Sequence, residues 1–418
     1  MTVTDTHGAI DAVWRIESAR IIAGVARLVR DVGLAEELAQ DALVAALEQW
    51  PESGVPKNPG AWLMAIAKRR AIDLIRRKET YQRKLAEMGH ELEIDGESVE
   101  DDVESILADT IEDDLLRLVF TACHPVLSTE ARAALTLRLI GGLKTDEIAR
   151  AFLVPEATIS QRIVRAKKNL AKANVPFELP PTAELNERLA SVLEVIYLVF
   201  NEGYSATAGD DWMRPALCDE AIRLGRILAG LMPAEPEVHG LTALMEIQAS
   251  RSAARTGPDG EPVLLLEQDR SRWDRLLIRR GLAALDTAWG LEGTPGPYLL
   301  QAAIAACHAR ATTAEDTDWA RIAGLYGVLA QVSPSPVIEL NRAVAVSMAF
   351  SPAHGLEVVD GLLDEPSLKD YHLLPSVRGD FLFKLGRLDE ARAEFERAAS
   401  LTRNERERTL LLSRAAAC

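Results

Sequence analysis

The chain has 418 residues, a formal net charge of −16, 48% hydrophobic residues and 5% aromatics. That length exceeds one ordinary core and predicts two or three domains, mostly helical because alanine and leucine abound while strand-favouring runs are scarce. No apolar run could span a bilayer, and the N-terminus lacks a signal pattern. The cysteines (Cys123, Cys218, Cys307 and Cys418) show no paired spacing, which speaks against a disulfide or zinc framework and for a reduced, cytoplasmic setting.

Residues 10–80 read as a first helical unit. Ala39, Leu43, Ala46 and Trp50 recur at helical spacing with Glu36, Glu37, Asp41 and Glu48 among them, giving an acidic amphipathic helix. A Pro- and Gly-rich loop over 51–60 precedes a second helix, 61–78, whose stripe Leu63, Ala67, Ala71 and Leu74 predicts burial on one side. That helix carries Lys68, Arg69, Arg70, Arg76, Arg77 and Lys78 with Asp73 as its one anion, denser in cations than solubility requires. Trp62, near its start, either packs in the core or offers a stacking surface beside those cations.

Residues 81–113 form an acidic linker: thirteen carboxylates and no Lys or Arg lie between Glu87 and Asp114. Such a stretch buries little and repels itself. It is either simply solvated or a cover for one of the basic helices in the absence of DNA. The next unit, 114–175, is helical and basic, with ten Lys and Arg against six Asp and Glu over 115–185. Local charge matters more than the total for binding a phosphate backbone.

Within that unit, residues 145–152 predict a short helix capped by Thr145 or Asp146, with Ile148, Ala149 and Phe152 inward. Pro155 is suited to the first turn of the next helix, and Glu156 to the positive end of its dipole. There Ile159, Ile163, Ala166 and Leu170 form a buried stripe, and the opposite face carries Ser160, Gln161, Arg162, Arg165, Lys167 and Lys168. A helix buried on one side and bearing amide and guanidinium groups on the other suits a DNA major groove, although a solvated basic face gives the same pattern.

The remainder, 185–418, alternates helical segments with breaks at Gly203, 230–236, 293–297, 333–336 and 364–367. Gly379, Leu382, Gly386, Ala391, Phe395 and Ala398 occupy the small and large positions of a tetratricopeptide-like hairpin. A weaker copy, Ala343, Gly355, Val359 and Leu362, precedes it by thirty-six residues. Residues 257–268 are the best candidate for a small hairpin or extended piece. No phosphate-binding glycine loop, dinucleotide fingerprint, paired-histidine zinc motif or nucleophile elbow occurs, so neither cofactor nor metal nor catalytic residue is expected. His124 reads as a satisfied helix-end histidine, and the Asp210–Asp211 pair as a turn or cap rather than an acid–base pair.

Two basic helical units, an acidic linker and a helix-turn-helix, in this order, resemble an extracytoplasmic-function (group IV, sigma-70 family, sigma-24-like) RNA polymerase sigma factor. Residues 34–50 resemble the helix that docks on the polymerase β′ clamp helices, and 59–78 the part that melts and reads the minus-ten element. The region-four pattern is present as Glu147, Ile148, Ala149, Phe152, Val154, Pro155, Thr158, Ile159, Arg162, Arg165, Ala166 and Leu170. It departs at the corner, where Leu153 stands in place of the usual glycine. The long extension is similar to that of the subgroup with a tetratricopeptide-like C-terminal domain.

The resemblance implies an all-α fold: region 2 at 10–80, region 4 at 114–175, and a helical-repeat domain at 185–418. It also implies DNA contacts by Trp62, Lys68, Arg69, Arg70, Arg76 and Arg77 at the minus-ten element. At the minus-thirty-five element they would come from Thr158, Ser160, Gln161, Arg162, Arg165, Lys168 and Lys172. Glu37, Asp41 and Glu48 would meet the β′ clamp helices, the β flap would be a further polymerase contact, and the extension would have an intramolecular, protein or ligand partner. No membrane is involved. The competing readings are a stand-alone helix-turn-helix regulator with an effector-sensing domain and a tetratricopeptide scaffold with incidental basic helices.

Overall fold

The structure, a computed structural model, describes residues 3–88, 111–152, 154–205, 213–257, 263–402 and 405–418. Among these residues it is all-α, with short 3-10 turns and a single bridge residue, Thr256, as the nearest approach to a strand. The chain divides into two compact units, Met1–Ile196 and Tyr197–Cys418. Most of the acidic linker, the corner residue Leu153 and the Asp210–Asp211 pair lie outside the described residues.

The first unit contains α1 (Val3–Val29), α2 (Val32–Ser53), α3 (Pro59–Met88), α4 (Ile111–Ala122), α5 (Thr129–Leu139), α6 (Thr145–Ala151), α7 (Glu156–Lys172) and the start of α8 (Thr182–Tyr204). Helices α1, α2 and α3 meet through alanines, among them Ala23, Ala26, Ala39, Ala42, Ala67 and Ala71, all fully buried. Small side chains let the helix axes approach closely, and Trp50, 1% exposed, fills the space beyond them. The Asp31 side chain caps α2 by accepting from the Leu34 amide at 2.9 Å. That helix runs through Pro51 to Ser53, shortening the predicted loop, and stops at Gly54, whose φ of +82° favours glycine.

Helix α6 begins where the sequence predicts, but its cap differs. The Lys144 amide donates to Glu147 Oε2 at 2.8 Å, so the carboxylate three residues inside the helix secures its start. Pro155 stands at the N-cap of α7 rather than inside its first turn, and Glu156 is the first helical residue. The first half of α8 is tied to α4 and the turn after it: Arg188 donates to the Phe120 carbonyl at 2.9 Å, and Ser191 to the Cys123 carbonyl at 2.7 Å.

The second unit continues with α9 (Pro215–Leu231), α10 (Pro236–Ala249), α11 (Arg275–Gly290), α12 (Pro297–Arg310), α13 (Trp319–Val332), α14 (Pro336–Ala349), α15 (Pro352–Asp360), α16 (Leu373–Lys384), α17 (Leu388–Leu401) and α18 (Glu405–Ala416). Helices α9, α10, α12, α14 and α15 open on proline, which needs no amide partner there and arrives with a helical φ. Helices α10 and α12 are buried around most of their circumference and cross closely at Gly240, where an added Cβ would lie 2.7 Å from the Leu299 nitrogen. The Glu237 carboxylate caps α12 from the neighbouring helix, accepting from the Tyr298 and Leu299 amides at 2.9 and 3.0 Å.

Both repeat-like hairpins form. Gly379 lets α16 lie against the Phe395 ring of α17, while Leu382, Ala391, Phe395 and Ala398 are fully buried. In the weaker copy Gly355 of α15, thirty-six residues before Ala391, meets Ser347 and the Ala343 carbonyl of α14, so a small residue again stands at the crossing. Of the 257–268 segment, residues 258–262 lie outside the described residues. The Val263 amide donates to the Arg255 carbonyl at 2.8 Å, and a 3-10 turn follows at Leu265–Glu267.

Candidate nucleic-acid interface

Helix α7 separates its faces as its sequence dictates. Ile159, Ile163, Ala166 and Leu170 are at most 6% exposed. Gln161, Arg165, Lys168 and Lys172 fall at successive helical turns on the opposite face and are exposed, with Ser160 exposed at its edge. Thr158 and Arg162 are half-buried at the border; Arg162 faces Glu130 and helps hold that carboxylate's pKa down, behind the stronger effect of hydrogen bonds from the Glu130 backbone and Ser128.

Lys167 is the exception among the cations assigned to this face. It follows Ile163 by four residues, at the edge of the apolar stripe, and its ammonium contacts Glu36 Oε2 of α2. Glu36 is 3% exposed. Its other oxygen accepts from Arg138 Nε and Gln40 Nε2, each at 2.7 Å. The sequence showed Glu36 only as one acid among several. The structure makes it the buried anion that joins α2 to α5 and α7. Outer pairs flank it: Arg15 with Glu147 at 2.7 Å and Lys144 with Asp11 at 3.6 Å. Farther in, Arg27 lies 3.4 Å from Asp114.

Helix α3 divides its cations. Trp62, Arg69 and Arg76 fall seven residues apart on one stripe, with both arginines exposed and Trp62 half-buried. The Trp62 ring meets Trp50 edge-on, centroids 5.3 Å apart, so one part packs on the core and another stays accessible. Arg77 is exposed beside them. Arg70 pairs with Asp41 of α2 at 2.9 Å, bringing together a residue assigned to DNA and one assigned to the polymerase. Lys68 turns away from this stripe toward Arg27 and Asp114. Burial and the neighbouring Arg27 lower its pKa, against the pull of Asp114. Burial also raises the Asp114 pKa against both Arg27 and Arg117.

The outer face of α2 presents Glu37, Asp41, Val44 and Glu48 in one row, with Val44 50% and the neighbouring Leu47 39% exposed. An acidic row around exposed aliphatic side chains suits a basic protein surface better than a nucleic acid. His124 accepts from the Val126 amide at 3.1 Å and so closes a helix end. Cys123 is buried against the Thr136 hydroxyl, and burial pushes its thiol pKa up to about 11. Among the described residues no His, Cys, Asp and Glu cluster could hold a metal ion, and no helix is long and apolar enough to cross a membrane.

Three families match successive parts of the chain: sigma-70 region 2 over residues 16–101, sigma-70 region 4 over 117–170, and a family of unknown function (DUF6596) over 188–289. An uncharacterized protein of Rhizobium meliloti is 46% identical over 410 residues, 97% of this chain and 94% of its own. The ECF RNA polymerase sigma factor SigK of Mycobacterium sp. (strain KMS) is 30% identical over 168 residues, 38% of this chain and 82% of its own. SigK of Mycobacterium bovis is 29% identical over 155 residues, 36% of this chain and 78% of its own. With both sigma-70 regions carried on α-helices in the expected order, and a C-terminal extension beyond them, the chain belongs to the ECF RNA polymerase sigma factor family.

Proposed function

We propose that this sigma factor grips promoter DNA with two separate helix faces and docks on polymerase with a third. The observation that carries the reading is the α7 surface, where exposed Gln161, Arg165, Lys168 and Lys172 stand opposite a fully buried apolar stripe. In this reading Ser160, Gln161 and Arg162 reach base edges of the minus-thirty-five element, while Arg165, Lys168 and Lys172 hold phosphates and Thr158 supports the helix start. Trp62, Arg69, Arg76 and Arg77 serve the minus-ten element, the ring stacking on an unpaired base beside cations. Arg70 and Lys68 join them only after leaving Asp41 and the Asp114 neighbourhood.

Glu37, Asp41 and Glu48, with Val44 and Leu47 between them, are the surface for the β′ clamp helices, and region 4 meets the β flap. The protein acts in the cytoplasm on core polymerase and promoter DNA, and it contributes binding energy rather than catalysis. The C-terminal unit is a regulatory or interaction module. Run-off transcription with purified core polymerase tests this: promoter-specific transcripts are expected. DNA binding without them would support a stand-alone regulator, and neither would leave a scaffold.

A further inference from the structure

The second unit contains a cavity of about 300 Å³, at the lower end of the ~300–1,000 Å³ typical of small-molecule sites. Its wall combines residues of the turn after α10 with residues of α16 and α18, which are distant in sequence. Leu264, Leu265, Leu373, Leu410 and Leu411 supply its apolar lining.

The polar lining is unevenly satisfied. Glu407 is engaged by His372 at 3.3 Å and by the Thr402 hydroxyl at 2.7 Å, which together hold its carboxyl below the usual range despite burial. Arg414 pairs with Asp380 and lies 4.5 Å over the Phe395 ring. Arg255 lies 3.5 Å over the Tyr204 ring, and burial lowers its pKa, with the nearby Arg251 a further contributor. Two lining groups each carry an unpartnered buried atom. Arg251 lies 5.9 Å over both the Tyr204 and the Trp273 rings, but its buried Nε has no hydrogen-bond partner and no carboxylate is paired with it among the described residues. Gln268, 9% exposed, uses its amide nitrogen on the Val263 carbonyl at 3.2 Å, but its buried Oε1 has no partner.

An unpartnered buried donor on a cation and an unpartnered buried acceptor are both costly unless something meets them. The missing complement is an anion for Arg251, a donor for Gln268 and an apolar body for the leucines. We propose that this cavity binds a small carboxylate with an apolar chain and a hydrogen-bond donor beside the carboxylate, of the class of medium-chain 2-hydroxy or 2-amino acids. Nothing in this depends on the promoter contacts assigned above.

The full chain is titrated calorimetrically with 2-hydroxyoctanoate, octanoate and octane-1,2-diol. The hydroxy acid binds best. Octanoate, lacking the donor, binds roughly 2- to 10-fold more weakly, and the diol, lacking the charge, at least about 10-fold more weakly. Arg251→Gln removes the preference for the acids over the diol, whereas Gln268→Leu removes only the preference for the hydroxy acid over octanoate. Leu410→Trp fills the cavity from the apolar side and abolishes all binding. Circular dichroism and melting of each unliganded variant establish that it is folded. Repeating the titration with 2-aminooctanoate shows which donor is preferred. Equal binding of diol and acids, unchanged selectivity in folded Arg251→Gln, or no binding of any probe at millimolar concentration overturns the proposal.

Discussion

Replacing Glu36 with glutamine removes one charge and almost no volume from the contact between α2 and the region-4 helices. Glu36 is 3% exposed, while its partners Arg138 and Lys167 keep 23% and 22% of their side-chain surface in water. Breaking a fully buried pair costs ~3–5 kcal/mol because the remaining charge is stranded. Here the cations keep about a fifth of their surface solvated and glutamine still accepts from Arg138, so the expected loss is lower, ~2–3 kcal/mol. Urea unfolding followed by tryptophan fluorescence and far-UV circular dichroism measures it. A double-mutant cycle with Lys167→Met isolates the pairwise part, expected at ~1–2 kcal/mol. A coupling below ~0.3 kcal/mol, the limit for independent sites, would refute the assignment of Glu36 as the joint between the helices.

The same geometry separates the cations of α7. Lys168→Ala should lower the salt slope of promoter binding by about one and weaken all sequences alike. Lys167→Ala, at the edge of the apolar stripe rather than on the exposed face, should leave that slope unchanged. Arg162→Ala should cost ~1–3 kcal/mol at its own base pair and relax the preference there; equal loss on every sequence, measured by competition binding, would remove it from the base readers. In the second unit, burial, with Arg251 and Arg270 adding to it, depresses the His308 pKa from 6.5 to about 4. The folded state therefore binds fewer protons than the unfolded one between those values. Its contribution is present above pH 6.5 and is lost as pH falls toward 4, ~3 kcal/mol in all. His308→Phe should flatten the stability profile of the second unit in that window. Gly240→Ala should destabilise by ~1–3 kcal/mol because its Cβ meets the α12 backbone. Gly230→Ala, with nothing within 4 Å of the new Cβ, should stabilise by ~0.5–1 kcal/mol.

Local patterns carried the helices and their inward faces. The stripes Leu63, Ala67, Ala71 and Ile159, Ile163, Ala166, Leu170 are buried, with Leu74, expected to complete the first, only half-buried, because helical periodicity is a one-dimensional signal. The exposed basic face of α7 was legible for the same reason. The fate of individual charges was not: Lys68, Arg70 and Lys167 look like their neighbours until Asp114, Asp41 and Glu36 arrive from other helices. Lys167 left a weak trace in its spacing of four from Ile163. The cavity left none, since Arg251 and Gln268, from the stretch after α10, meet Arg414 from far along the chain without a motif. Nor did α10 and α12 stand out, because helices buried on all sides lose the alternation that marks an amphipathic one.

The Glu36 contact also fixes a distance. Glu36 and Asp41 are five residues apart on α2 and hold Lys167 and Arg70, one from each basic helix. At ~1.5 Å per residue and a helix diameter of ~10–12 Å, the two basic helices lie within roughly 20 Å of one another at these contacts. Elements named for positions ten and thirty-five are ~25 base pairs apart, ~85 Å of duplex at ~3.4 Å per base pair. Under the proposed function, gripping both requires α2 to release Arg138 and Lys167. The first unit is thus a latch, and its opening free energy subtracts from promoter affinity. A latch of ~3 kcal/mol leaves roughly one molecule in 150 open. The key would be polymerase itself, since the row Glu37, Asp41 and Glu48 proposed as its docking surface belongs to the helix that holds the latch shut.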